Sequence, residues 1–261
     1  MRELVYYPEY DESMRDLPNE DRYHLLGDVA RFFTPLNVHL DLERRISRLI
    51  RAGYIQRNPL TKSFWRDIEK RVDSMDSDTC SNQYGRDPEF YSTSAYGFNM
   101  IGVSGIGKSL ALERILRLYP QVIHHKQYDG QTFIHSQLAW LKLDCPFDGS
   151  TRGLCINFFQ LVDSLLGTAY RKNFGNKRVT ADEMIPHMAT VAANHGIGVL
   201  VIDEIQRLSL AKSGGVEKML NFFVQSVNTI GVPVASSERI NLSLYSRAIS
   251  RRCGAEQDRE T

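Results

Sequence analysis

Apolar positions along this chain follow two rhythms, one helical and one extended, and they alternate. Leu42, Ile46, Leu49 and Ile50 recur at helical spacing and predict an amphipathic helix over residues 41–51, with Arg44, Arg45, Arg48 and Arg51 on its other face and Gly53 placed to end it. Residues 64–72 predict a second short helix, and residues 73–88 are polar and turn-rich, a loop leading into an apolar run at 96–101 that reads as a strand. A helix over 110–118 follows, then a short strand at 121–125 and a better one at 138–144. A turn at 148–151, ending in an N-cap candidate, opens a strongly apolar helix through Leu154, Phe158, Phe159, Val162 and Leu166. After a polar stretch at 170–180 come a helix over 181–194 closed by Gly196, a continuous apolar strand at 198–202, a helix through Met219, Phe222, Phe223 and Val227, and the start of a further strand at 230–234. Strands separated by helices of this kind predict an α/β fold with a parallel sheet sandwiched by helices. Residues 1–30 show no clear period and read as a partly ordered arm whose Tyr6, Tyr7 and Tyr10 could dock on a partner.

Composition narrows this picture modestly. A length of 261 residues with 42% hydrophobic content suits one α/β domain with an additional segment. The 32 basic residues balance 31 acidic ones, so any attraction to nucleic acid has to come from a local face such as the arginine row, whose plainer reading is a solvated helix surface. Cys80, Cys145, Cys155 and Cys253 are widely spaced and form no C-x-x-C pair, a pattern of reduced thiols rather than of a disulfide framework or a zinc site. His124 and His125 alternate faces on a strand and are poorly placed to chelate one metal. The first residues carry acids where a signal peptide needs an apolar core, and no run of 18 apolar residues occurs, so a soluble cytoplasmic protein without membrane contact is expected.

The chemistry is concentrated between residues 102 and 109. Gly102-Val103-Ser104-Gly105-Ile106-Gly107-Lys108-Ser109 has the form G-x-x-x-x-G-K-S and lies between a predicted strand and a predicted helix, the context that a phosphate-binding loop requires. Glycines let the backbone turn its N–H groups onto phosphate oxygens, and the helix that follows points its positive end at the same anion. Residues Gly102 through Leu110 are therefore the expected nucleotide-binding set, with Lys108 reaching the β- and γ-phosphates and the Ser109 hydroxyl on Mg²⁺.

A second stretch, Gly198-Val199-Leu200-Val201-Ile202-Asp203-Glu204, describes a strand buried on both faces that ends in two acids at the sheet edge where ligands of open α/β sheets bind. This is the pattern of a Walker B strand. Asp203 is the expected Mg²⁺ residue, and Glu204, with Lys108, the expected catalytic pair, Glu204 acting as general base on the attacking water.

The residues around these motifs resemble the TnsC/TniB family of AAA+ ATPases, which regulate DNA transposition. The likeness runs from about residue 32 to Val234. It is carried by Ile50-Arg51-Ala52-Gly53-Tyr54-Ile55-Gln56-Arg57-Asn58-Pro59, by Arg114-Ile115-Leu116 with Tyr119-Pro120-Gln121-Val122-Ile123, and by Leu141-Lys142-Leu143-Asp144-Cys145 with Asp148-Gly149-Ser150 and Cys155-Ile156-Asn157-Phe158-Phe159. A further block joins Val201-Ile202-Asp203-Glu204-Ile205-Gln206 to Gly214-Gly215, Met219-Leu220-Asn221-Phe222-Phe223, Val227-Asn228 and Ile230-Gly231-Val232-Pro233-Val234.

The resemblance implies ATP and Mg²⁺ as cofactors and double-stranded DNA, further copies of the chain, a target-selector protein and a transposase as partners. Gly102, Gly107, Lys108 and Ser109 match the family's Walker A, Asp203 and Glu204 its Walker B, and Tyr54 and Arg57 lie in the segment that the family places near the nucleotide base. The chain then divides into an arm over 1–31, a helical segment and loop over 32–95, an ATPase core over 96–234 and a divergent tail over 235–261. In that tail the family's polar sensor, arginine fingers, last strand and helical lid are not recognisable, so the expected sheet lacks its C-terminal strand and the lid, and Arg251 and Arg252 resemble finger arginines only superficially. The expectation is therefore a truncated or frame-shifted member with a shortened central strand and impaired hydrolysis. Two other readings stay open: a helicase-loader-like AAA+ ATPase acting in replication, and a non-catalytic nucleotide-binding module that docks on a partner.

Overall fold

In the computed structural model, residues 4–9, 11–29, 32–55, 97–128, 130–176, 179–209 and 232–239 are described. The helices expected at 64–72 and 219–227, the loop at 73–88, and Arg57, Cys80, Arg251, Arg252 and Cys253 lie outside them.

The strand ending in Asp203 organises the rest. Strand β5 (Val199–Asp203) is buried at all five positions, and its side chains alternate between two cores. Leu200 and Ile202 face helices α4 (Thr151–Leu166) and α6 (Ala181–Asn194), where Phe158, Phe159, Met184, Ile185 and Met188 are almost fully buried. Val199 and Val201 face helices α2 (Asn37–Ile55) and α3 (Lys108–Leu116), against Ile46, Leu112, Ile115 and Leu116. A strand with apolar residues at every position can satisfy both faces only between two helical layers.

Around β5 the sheet has the order β1-β6-β5-β4, all parallel, with β1 (Gly97–Gly102), β4 (Trp140–Asp144) and β6 (Val234–Arg239). Parallel neighbours bring all four C-terminal ends to one edge. The phosphate-loop candidate after β1 and the acids after β5 thus meet there, with the end of β6 between them.

Several sequence-based expectations need correction. Strand β6 does not falter after Val234: it runs to Arg239, pairs with β1 over its whole length and with β5 from Val234 to Ser236. The polar sequence Ala235-Ser236-Ser237-Glu238-Arg239 makes a full central strand because ladder hydrogen bonds are backbone bonds, and small residues fit between two strands. Of the strand start expected over 230–234, residues 230 and 231 lie outside the described residues, Val232 and Pro233 are not in the strand, and β6 begins at Val234. The strand expected over 138–144 is split. Leu138 closes β3 (Gln131–Leu138), which pairs antiparallel with β2 (Val122–Tyr128) as a separate hairpin, and β4 begins at Trp140.

Gly53 does not end α2, which continues to Ile55. A glycine inside a helix costs only about 1 kcal/mol, and the buried stripe of Leu42, Ile46, Leu49 and Ile50 outweighs it. The polar stretch after α4 holds a short helix, α5 (Tyr170–Phe174), whose start is tied to the Asp163 carboxylate by the amides of Tyr170 and Arg171. The N-terminal residues, expected as an arm, place Leu4 in the core beside Phe33, and Tyr6 and Phe33 exchange two backbone hydrogen bonds of 3.0 Å. Helix α1 (Asn19–Val29) follows this segment. Among the described residues no helix is long and apolar enough to cross a membrane.

Candidate nucleotide site

Strand β1 delivers Gly102 to the sheet edge, and the chain then turns through Gly105 at φ 83° and Gly107 at φ 90° before α3 begins at Lys108. Both angles lie in the left-handed region, where a Cβ would be strained, which is why the pattern needs glycine there. Gly107 is the N-cap of α3 and supplies no side chain to its open amides, so these remain available to an anion. Lys108 Nζ folds back over the loop and donates to the carbonyl oxygens of Gly102 at 2.7 Å and Val103 at 2.8 Å.

A cleft of about 200 Å³ opens at this edge, lined by Ser104, Gly105, Gly107, Lys108, Ser109 and Leu110 from the loop and by Asp203, Glu204, Ser237 and Arg239 from the neighbouring strands. Of the residues expected to bind nucleotide, Gly102, Val103 and Ile106 do not line the cleft. Gly102 and Val103 act through their carbonyls on Lys108, and the Ile106 side chain is exposed.

Asp203 is only 3% exposed, so its carboxylate must be well partnered. Oδ1 accepts from the Ser237 hydroxyl and from the Glu204 amide at 2.9 Å, while Oδ2 lies 3.7 Å from Lys142 Nζ. Lys142 comes from β4 and also meets Asp144 at 3.2 Å. Glu204 sits at φ 57°, an unusual conformation for a residue with a side chain, and its carboxylate is held by two guanidinium groups, those of Arg207 and Arg239. Arg207 belongs to the short helix α7 (Gln206–Ser209), one turn after Glu204, and Arg239 ends β6.

The donor set suits a hard divalent cation. A buried carboxylate on Asp203 and a hydroxyl on Ser109 face the same cleft, both are oxygen ligands, and a magnesium ion held by one or two protein oxygens completes its shell with phosphate and water.

Sequence reasoning missed Ser237, Arg239, Arg207 and Lys142. For Ser237 a signal existed: Ala235 and Ser237 are two apart and point to one face of a strand, and both are buried. Ser237 is the polar residue that β6 brings to the Asp203 carboxylate. Tyr54 lies in the segment that the resemblance places near the nucleotide base. Its hydroxyl donates to the Leu138 carbonyl at 3.4 Å, next to Gly198, at the opposite edge of the sheet from the cleft. The adjacent His124 and His125 go to separate partners, Ser136 at 3.0 Å and Gln137 at 2.6 Å. Cys145 and Cys155 are buried, and burial pushes both thiols up to about 12, so neither serves as a nucleophile near neutrality.

Residues 97–243, more than half of the chain, match the model of the AAA domain family. The chain belongs to the AAA domain family. Among the described residues, its parallel sheet of four strands between helical layers is the P-loop NTPase arrangement of such domains. Among solved structures, the AAA chain is similar to the Walker-type ATPase PABY2304 of Pyrococcus abyssi at 12% identity and a TM-score of 0.36, with 71% of this chain and 49% of that one covered. The AAA chain thus spans about half the length of that protein. No curated protein sequence matches it.

Proposed function

We propose that this chain is an ATP- and Mg²⁺-binding regulator of DNA transposition of the TnsC/TniB type. The observation that carries the nucleotide part is the convergence of the glycine loop, Lys108, Ser109 and the buried Asp203 on one cleft. Loop amides and the α3 N-terminus would bind phosphate, Lys108 would give up its two carbonyl partners for β- and γ-phosphate oxygens, and Ser109 and Asp203 would hold the metal. The bound Mg²⁺ would neutralise charge on the phosphates. Glu204 would accept the proton of the attacking water, with Ser237 fixing the neighbouring Asp203.

The transposition part rests on the sequence blocks that resemble the family, in particular Leu143-Asp144-Cys145 and Gly231-Val232-Pro233-Val234. The exposed face of α2 supplies a surface for DNA phosphates. Arg44, Arg45, Arg48 and Arg51 all face solvent, and Arg45 is engaged with Asp41 at 2.7 Å. That contact holds the Asp41 carboxyl below its usual range. Partners on this reading are double-stranded DNA, further copies of the chain, a target selector and a transposase.

The nucleotide reading is tested by calorimetry of the full chain with ATP and Mg²⁺. Lys108→Ala is expected to weaken binding about ten- to a hundred-fold, the equivalent of one charge-assisted contact of about 1.5 to 3 kcal/mol. Unchanged affinity would remove the Walker A assignment. For the DNA reading, gel shifts at increasing salt should show binding that requires ATP and weakens steeply with ionic strength, because phosphate contacts release counterions. Binding indifferent to both would leave a nucleotide-binding protein without the transposition role.

A further inference from the structure

We propose that Lys142 is a built-in counter-ion for Asp203 that gives way to Mg²⁺ by moving to Asp144, so that the pair of Lys142 and Asp144 sets how strongly nucleotide binding depends on the metal. The proposal rests on the nucleotide-binding reading above and gives a role in it to two residues outside the glycine loop and the acidic strand end.

Strand register puts the three groups together. β4 and β5 run parallel with Asp144 opposite Asp203 and Lys142 opposite Val201. Residues two apart on a strand share a face, and Val201 packs against α3, so Lys142, Asp144 and Asp203 all lie on the side of the sheet that carries the phosphate loop. The long stem of Lys142 lets its ammonium reach forward from the Val201 level to both acids.

The two oxygens of Asp203 are used differently. Oδ1 accepts from the Ser237 hydroxyl and the Glu204 amide, neutral donors that orient the group without cancelling its charge. Oδ2 faces the Lys142 ammonium at 3.7 Å, longer than a direct hydrogen bond, so that attraction works through charge. The Asp203 side chain is only 4% exposed, and a carboxylate so far from water needs a positive charge close by. Lys142, a compact cation on a flexible stem, supplies it.

A cation that neutralises a metal ligand also competes with the metal. Two positive charges on one partly buried carboxylate repel each other, and at this separation the repulsion is equivalent to about ten-fold or more in affinity. Asp144 relieves that conflict. Its carboxylate meets the same ammonium at 3.2 Å and is 75% exposed, so it keeps its solvation and takes the cation without a burial cost. Lys142 thus passes between two acids rather than from an acid into water. Asp203 is never left buried and uncompensated, and the metal displaces a cation that has somewhere to go.

The test is a fluorescence titration of the full-length chain with ADP, once in Mg²⁺ and once in EDTA, which gives the factor by which the metal tightens binding. In Lys142→Met that factor should rise about five-fold or more, while affinity in EDTA stays within about two-fold of wild type. Lys142→Arg keeps the cation and should stay near wild type. Asp144→Asn removes the alternative partner, commits Lys142 to Asp203, and should lower the factor about three-fold or more. In the double variant Lys142→Met/Asp144→Asn that loss should vanish, because no cation remains to be held. The inference is overturned by a Lys142→Met factor equal to or below that of wild type, by an equal change in the EDTA titration, or by an Asp144→Asn loss of the same size with and without Lys142, the mark of a general field effect. If circular dichroism shows Lys142→Met to be unfolded, Lys142→Gln carries the same comparison. A folded wild-type chain that binds ADP in neither buffer removes the nucleotide-binding reading itself, and the inference with it, a result distinct from all of these.

Discussion

Strands β5 and β6 are neighbours in the middle of one sheet, yet they are built on opposite principles. β5 reads Val-Leu-Val-Ile-Asp and is buried throughout, a wedge between two helical cores. β6 reads Val-Ala-Ser-Ser-Glu-Arg, alternates between half-buried and buried positions, and carries polar groups that reach outward to other groups. Ser236 donates to Asn99 at 3.2 Å, Glu238 accepts from Asn99 at 3.0 Å, Ser237 holds Asp203 and Arg239 holds Glu204. The comparison teaches that a central strand needs backbone partners on both sides, whereas its side chains are free to serve either stability or the site. In this sheet β5 carries the packing, and β6 carries much of the polar support for the acids that β5 presents.

Substitutions can break that division of labour. The largest effect is expected on β5: Leu200→Ala opens a cavity in the core with α4 and α6 and should cost about 2 to 5 kcal/mol in urea unfolding. A loss below 1 kcal/mol would mean that β5 is not the packing strand. On β6 the expected effect is smaller and chemical. Ser237→Ala deprives the buried Asp203 carboxylate of one donor, with a stability loss of about 1 to 2 kcal/mol and a weakened Mg²⁺ dependence of ATP binding. Full stability and unchanged Mg²⁺ titration would show that Lys142 and the Glu204 amide suffice for Asp203. The smallest effect is expected at Ser236, whose partner Asn99 is exposed. Ser236→Val should change stability by no more than about 0.5 kcal/mol, since β-branching favours the strand while one exposed hydrogen bond is lost. A large loss at Ser236 would place packing weight on β6 and blur the contrast with β5.

Much of this architecture is legible in the sequence. The loop from Gly102 to Ser109 is legible because few sequences satisfy the steric demands of backbone amides wrapped around phosphate, and here the left-handed Gly105 and Gly107 meet those demands. α4 and α6 are legible because their apolar residues repeat at helical spacing and their first turns carry caps. The cap of α4 falls one residue before the end of the turn where it is expected: Ser150, not Thr151, accepts from the Gly153 amide at 2.9 Å, and Thr180 with Glu183 forms a reciprocal capping box. The hairpin β2–β3 was only half legible: residues 131–137 mix Gln, Thr, His and Ser with Phe133 and Ile134, and Ile134 is 86% exposed, so no apolar face announces the strand.

The sequence alone determined the loop, the acidic strand end and the helices α2, α4 and α6, because each is a local demand on spacing, φ or burial. Only the tertiary structure decided that β6 runs between β1 and β5 to Arg239, and that Ser237, Arg207 and Arg239 converge on Asp203 and Glu204. Ser237 lies 34 residues from Asp203, and Arg239 lies 35 residues from Glu204. Such meetings follow from the parallel pairing of whole strands, which brings distant C-terminal ends to one edge, and no pattern within either strand encodes the other. For the same reason only the packing of α2 against the sheet sets the Tyr54 hydroxyl beside Leu138 and Gly198.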